Sequence, residues 1–247
     1  MSQACGAGRL RGAKMTQRET TVWVLISGSK KRTDSRREID RFLQIAEAIG
    51  RALALPNVGL LGCAPHSERV LASEAARVGF RSVDPTAAVS TGTSSVDKFY
   101  HDDRINLARK ANAAVFVGGS SGTLEEYDLC RSRHVSPLIP VAGAGGGGAT
   151  LARRAVNAQD QFWKNPVDAQ TLSILASADA SPEQYAEAVV RVLTMSGVIP
   201  VVPPCETERA TRTAQPSDEG EVTREATHAD SAVAAKSALK KWWQFWK

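Results

Sequence analysis

The chain has 247 residues, 43% of them hydrophobic, which is enough for one sizeable α/β domain with extra segments. Its 31 Lys+Arg against 26 Asp+Glu give a net charge of +5, a balance that fits attraction to phosphates without calling for a nucleic-acid groove, so no nucleic-acid partner is expected. Cys5, Cys63, Cys130 and Cys205 are too scattered for a zinc site or a redox CxxC pair, so they are expected to be free thiols in a reducing cytosol, with no metal and no cofactor.

The first 20 residues are small, polar and basic, carry no apolar core of signal-peptide length, and read as a disordered N-terminus. "TVWVLISGS", residues 21–29, is a β-branched and apolar run that ends in Ser-Gly-Ser, the pattern of a buried strand stopping at a turn. Ile39, Phe42, Leu43, Ile45, Ala46, Ile49 and Leu53 then form an apolar stripe at helical spacing, which Pro56 and Asn57 stop. "VGLLGC" predicts a second strand, and "HSERVLASEAARVGF" a second helix with His66 or Ser67 near its start.

Residues 81–100 are rich in Ser and Thr and read as a loop able to cover a site opening. "DDRINLARKANA" predicts a helix, "AAVFVGG" a strand, "TLEEYDLCRSRHV" a helix, "SPLIPVAG" a fourth strand, and "AGAGGGGATLARRAVN" a glycine-rich turn into another helix. A final helix over 181–196 is marked by Ser181 as N-cap and Pro182 at the first helical position. The alternation predicts a Rossmann-like, doubly wound parallel sheet in three layers over residues 21–200, with ligands at the carboxyl ends of the strands. Residues 201–235 read as a linker, few in apolar residues and without periodicity.

The stretch best suited to chemistry is "GGSSGT": Gly118, Gly119, Ser120, Ser121, Gly122 and Thr123. Glycines after a strand allow positive φ and close approach of a ligand, while the amides and dipole of the following helix attract an anion. Neither the Lys of a Walker A loop nor GxGxxG spacing is present. Thr123 is placed to cap the helix, with Glu125 and Glu126 in its first turn, where acidic residues are also favoured by the dipole alone.

"GGSSGTLEE" resembles the PGGxGTxxE signature of the Lonely-guy-type phosphoribohydrolases, once called lysine decarboxylase-like, within the SLOG superfamily of Rossmann-like nucleotide enzymes and sensors. The order of Arg-bearing helix, strand, motif helix, strand and glycine turn is similar too, over roughly residues 21–195. This resemblance implies that Glu126, as catalytic carboxylate, works with Arg104, or with Arg109 if the helix is shifted by a turn, on the ribose side of a nucleoside monophosphate. Such a pair can stabilise positive charge at the ribose C1′ and neutralise a phosphate. The family's leading proline is Gly118 here and Ser120 and Ser121 replace its usual residues, departures that favour binding over hydrolysis. The run from Gly145 to Gly148, with Gly146 and Gly147 at its centre, is similar to members that sense NAD-derived or cyclic nucleotides; a plain surface turn is the alternative.

Ser27, Gly28 and Ser29 could form a second backbone cradle, followed by Lys30, Lys31, Arg32, Arg36 and Arg37, which fit either a phosphate contact or a solvated basic loop. The expected ligand is thus a nucleotide or an NAD-derived small molecule. Related folds pair through helices beside the site, so a homo-oligomer is expected. The tail over 236–247, "KSALKKWWQFWK", sets tryptophans among lysines and suits a membrane surface, a partner's groove or packing on the protein itself. A cytoplasmic protein, peripheral to membrane if the tail engages lipid, is the resulting expectation.

Overall fold

The computed structural model describes residues 21–200 except 64–67, 87 and 92–99. The expected N-terminus over 1–20, the linker over 201–235, the aromatic tail over 236–247, and the helix-start residues His66 and Ser67 lie outside the described residues.

Strand β1 (Val22–Ser27) occupies the centre of a five-stranded sheet. Its neighbours are β3 (Val58–Gly62) on one side and β6 (Ala113–Val117) on the other, with β5 (Val89–Thr91) and β7 (Leu138–Val141) at the edges, every pairing parallel. β3, β6 and β7 are buried along their whole length, which is why they read as continuous apolar runs instead of alternating ones. Each large apolar side chain so buried, Ile26 or Phe116 for instance, contributes about 1.5–3 kcal/mol.

The helices cover the sheet as the doubly wound pattern requires. Helix α1 (Arg36–Ala52) starts from a capping box between Ser35 and Glu38 and packs on α2 (Ala72–Val83). Helix α3 (Tyr100–Lys110) lies against α4 (Ser121–Ser132), and α5 (Gly146–Asn157) against β6 and β7. Helix α6 (Ala169–Ala176) packs on α7 (Pro182–Met195), which is capped by Ser181 with Pro182 at its start as the sequence predicts. No helix of the described residues is long and apolar enough to cross a membrane.

Three sequence expectations need correction. Residues 89–91 form the edge strand β5 and not loop, because their backbone completes the ladder beside β3. The second helix begins at Ala72; the residues before it form β4 (Arg69–Leu71), which pairs antiparallel with β2 (Ser29–Lys31) in a separate two-stranded ribbon. Lys30 and Lys31, read as part of a basic loop, therefore sit on a strand. The motif helix starts two residues earlier than expected, at Ser121 with Ser120 as N-cap, so Thr123 does not cap it and the first turn carries no acidic residue.

Candidate functional site

In the parallel sheet the chain winds outward from β1 through β3 to β5, then crosses back to β6 and β7, so the winding reverses beside β1. The carboxyl ends of β1 and β6 meet at this reversal, the place where open α/β sheets form a ligand crevice. A cavity of about 270 Å³ opens there, just below the usual small-molecule range of ~300–1,000 Å³. Its wall includes Ser27, Gly28 and Ser29 from the end of β1, and Ser120, Ser121, Gly122 and Thr123 from the motif turn.

The turn is held in a conformation that only glycine adopts without strain. Gly119 has φ of +82°, and a Cβ there would lie 1.8 Å from the Thr123 Oγ1. Ser120 caps α4 without a side-chain hydrogen bond, and the amides of Ser121 and Gly122 have no partner among the described residues. The start of α4 therefore offers uncommitted N–H groups and the positive end of its dipole to the cavity wall. Gly122 lies under the Arg104 side chain: a Cβ on it would come 2.6 Å from the Arg104 Nη2 and push that guanidinium aside.

Beyond the turn lies the charged part of the site. The Glu126 carboxylate, 9% exposed, accepts a hydrogen bond from the Ser27 hydroxyl at one oxygen, while the other lies 3.0 Å from the Arg104 Nε and 3.5 Å from the Cys63 thiol that donates to it. Arg104, itself 10% exposed, also binds the exposed Glu125 at 2.6 Å. The contact with Glu125 is worth ~0–1 kcal/mol because water screens it. Removing a partner from the buried Arg104–Glu126 pair costs about 3–5 kcal/mol, so that pair fixes where Arg104 points. Because α4 begins at Ser121, both glutamates stand in its second turn, and both line the cavity.

Of the two arginines suggested by the motif, Arg104 lines the cavity and Arg109 does not: the latter is exposed in the last turn of α3. Gly146 and Gly147 also lie off the cavity wall. The amides of Gly147 and Gly148 donate instead to the carbonyls of Gly119 at 2.9 Å and Gly118 at 2.7 Å, so the second glycine run is a clamp behind the first turn. Lys30, Lys31, Arg32, Arg36 and Arg37 are likewise absent from the wall, Lys31 standing exposed at the end of β2, and Arg36 pairs with Asp40 at 2.9 Å.

Sequence reasoning missed Arg69, Cys63 and Ser73, all on the cavity wall. Cys63 follows the carboxyl end of β3, and the rule that ligands gather at such ends was the signal available for it. Arg69 stood inside a helical pattern; on β4 its Nη1 instead donates to the Ser29 hydroxyl at 3.1 Å. Cys130, buried below Glu126 on α4, has its thiol pushed up to about 12 by burial and by that carboxylate, which makes it inert.

Fold and cavity together define a Rossmann-like domain built around a small-molecule pocket at the reversal of its sheet. Residues 75–172 match the model of the SLOG cluster3 family, which bears out the resemblance seen in the motif. A search of curated proteins gives 29% identity over 153 residues to one of the pyruvate carboxylase subunits of Methanothermobacter thermautotrophicus; the match covers 60% of this chain and 28% of that protein's length. Among solved structures, TM1055, a structural genomics target, is 16% identical over 70% of this chain and 100% of its own, with a TM-score of 0.48. The molybdenum cofactor carrier protein of Chlamydomonas reinhardtii is 15% identical over 70% of this chain and 99% of its own, with a TM-score of 0.45.

Proposed function

We propose that this domain binds a nucleotide or NAD-derived ligand, with a phosphate against the start of α4 and the ribose toward Glu126 and Arg104. The observation that carries the reading is the pair of unpartnered amides, Ser121 and Gly122, on the cavity wall beside the buried Arg104–Glu126 pair. A hydrogen bond to a charged group contributes about 1.5–3 kcal/mol, so two amides on one phosphate supply a substantial part of a micromolar affinity of about 8 kcal/mol. Ser27 donates a hydrogen bond to one Glu126 oxygen and the Arg104 Nε lies 3.0 Å from the other, which sets the carboxylate beside the guanidinium at the proposed ribose end.

Isothermal titration with AMP, ADP-ribose and cyclic ADP-ribose tests this. At least one should give saturable heat that Gly119→Asp abolishes; no heat from any, or heat unchanged in the variant, would overturn the reading.

The buried, anchored Glu126 favours a second reading, hydrolysis of the N-glycosidic bond of a nucleoside 5′-monophosphate. There the carboxylate would stabilise positive charge at C1′ or orient the attacking water. Base release that disappears in Glu126→Gln while binding persists supports it; absence of release from the common monophosphates removes it.

A further inference from the structure

The cations of the cavity are not equivalent. Arg104 is committed to two carboxylates, whereas Arg69 makes no ion pair among the described residues and bonds only the neutral Ser29 hydroxyl. In the antiparallel ribbon Arg69 stands directly opposite Lys31, and Ser29 opposite Leu71. Directly opposed residues, and those two apart along a strand, share one face, so Lys31 lies on the ribbon face of Ser29, Arg69 and Leu71, the three that line the cavity. Lys31 also makes no side-chain ion pair among the described residues.

Like charges directly opposite each other, with Cβ atoms ~5 Å apart, destabilise a ribbon this short, and the carboxylate bonded at its Lys31 end, Asp34, accepts from the Lys31 backbone amide at 3.0 Å and makes no ion pair with either side chain. The carboxylates on the wall, Glu125 and Glu126, are both engaged by Arg104 and are not available to offset that repulsion. A ligand with a single phosphate at the start of α4 leaves the pair of cations unused.

We propose that Arg69 and Lys31 form a second anion subsite, so that the ligand is a diphosphate-bearing nucleotide and not a monophosphate. This rests on the reading that the first phosphate lies against α4. The fixed guanidinium of Arg69 takes the second phosphate in bidentate fashion, and Lys31 adds a point charge at the outer side. The ribbon thereby sets specificity by counting phosphates, while the motif turn provides the anchor common to both ligand classes.

The test is isothermal titration of the full-length protein with AMP, ADP and ADP-ribose at one fixed ionic strength. ADP or ADP-ribose should bind at least tenfold more tightly than AMP. Arg69→Ala should erase that preference while changing AMP affinity less than threefold, Lys31→Ala should reduce it in part, and Arg69→Lys should retain some of it. Circular dichroism and thermal unfolding of each variant confirm a folded domain. AMP binding as tightly as the diphosphates, or Arg69→Ala weakening all three alike, overturns the subsite and leaves the α4 reading standing. Absence of binding by all three in the wild type overturns both.

Discussion

Two glycine-rich turns precede helices at neighbouring strand ends, and in the sequence they are hard to tell apart. The 118–123 turn leads from β6 into α4, and the 145–148 run leads from β7 into α5. Their hydrogen bonding separates them. The amides of Ser121 and Gly122 in α4 are uncommitted among the described residues and belong to the cavity wall, whereas those of Gly147 and Gly148 in α5 are taken by the carbonyls of Gly119 and Gly118. A glycine-rich helix start becomes an anion site only if the fold leaves its donors free, and one such start can serve to hold another in place.

That contrast can be broken by substitution. The largest effect is expected from Gly119→Asp, which combines a left-handed backbone with a Cβ 1.8 Å from Thr123 Oγ1 and adds a negative charge at the proposed anion site. It should lower ligand affinity more than about 100-fold in titration, given charge repulsion on top of about 1–2 kcal/mol of backbone strain. Glu126→Gln comes next: it breaks the buried pair with Arg104, and a loss of about 3–5 kcal/mol should lower the melting temperature by ~6–20 °C in thermal unfolding.

Gly145→Ala sharpens the comparison from the other side. Gly145 has φ of +69° but open space around it, so the variant should lose about 1 kcal/mol of stability in urea unfolding and keep its affinity within about twofold. The smallest effect concerns Cys130, one turn beyond Glu126 on the motif helix. Its thiol is raised in the folded state from the ordinary value of 9.0 to about 12, so its stabilising contribution is complete below pH 9 and is lost as pH climbs toward 12. Urea midpoints at pH 8 and pH 10.5 should differ more in the wild type than in Cys130→Ala, and equal differences would show that this thiol titrates freely.

The parts of the fold legible in the sequence are those with a period or a long apolar run. β1, β3, β6 and β7 announced themselves as buried strands, and α1 and α7 by their stripe and caps. The three-residue strands β2, β4 and β5 are too short to show alternation, and tertiary pairing alone decides them. That is why Arg69 stayed hidden: its strand was absorbed into the helix that follows.

In the site, the turn and Glu126 were legible because glycines and a motif glutamate carry a local signal. The choice between Arg104 and Arg109 was not, because five residues along a helix turn a side chain to a different face and only the packing of α3 on α4 says which face meets the cavity. Equally unreadable was the fate of Gly146 and Gly147, whose local sequence suits a phosphate as well as Gly118 and Gly119 do, and whose role depends on carbonyls some 28 residues away.

The central claim is that a phosphate lies on the free amides of α4 and not on those of α5. A crystal structure of the protein soaked with ADP tests it most directly. The account predicts phosphate oxygens at about 2.7–3.2 Å from the amides of Ser121 and Gly122, with the bonds from Gly147 and Gly148 to the 118–119 carbonyls intact. A phosphate seated on the 145–148 run, with those bonds broken, would contradict it.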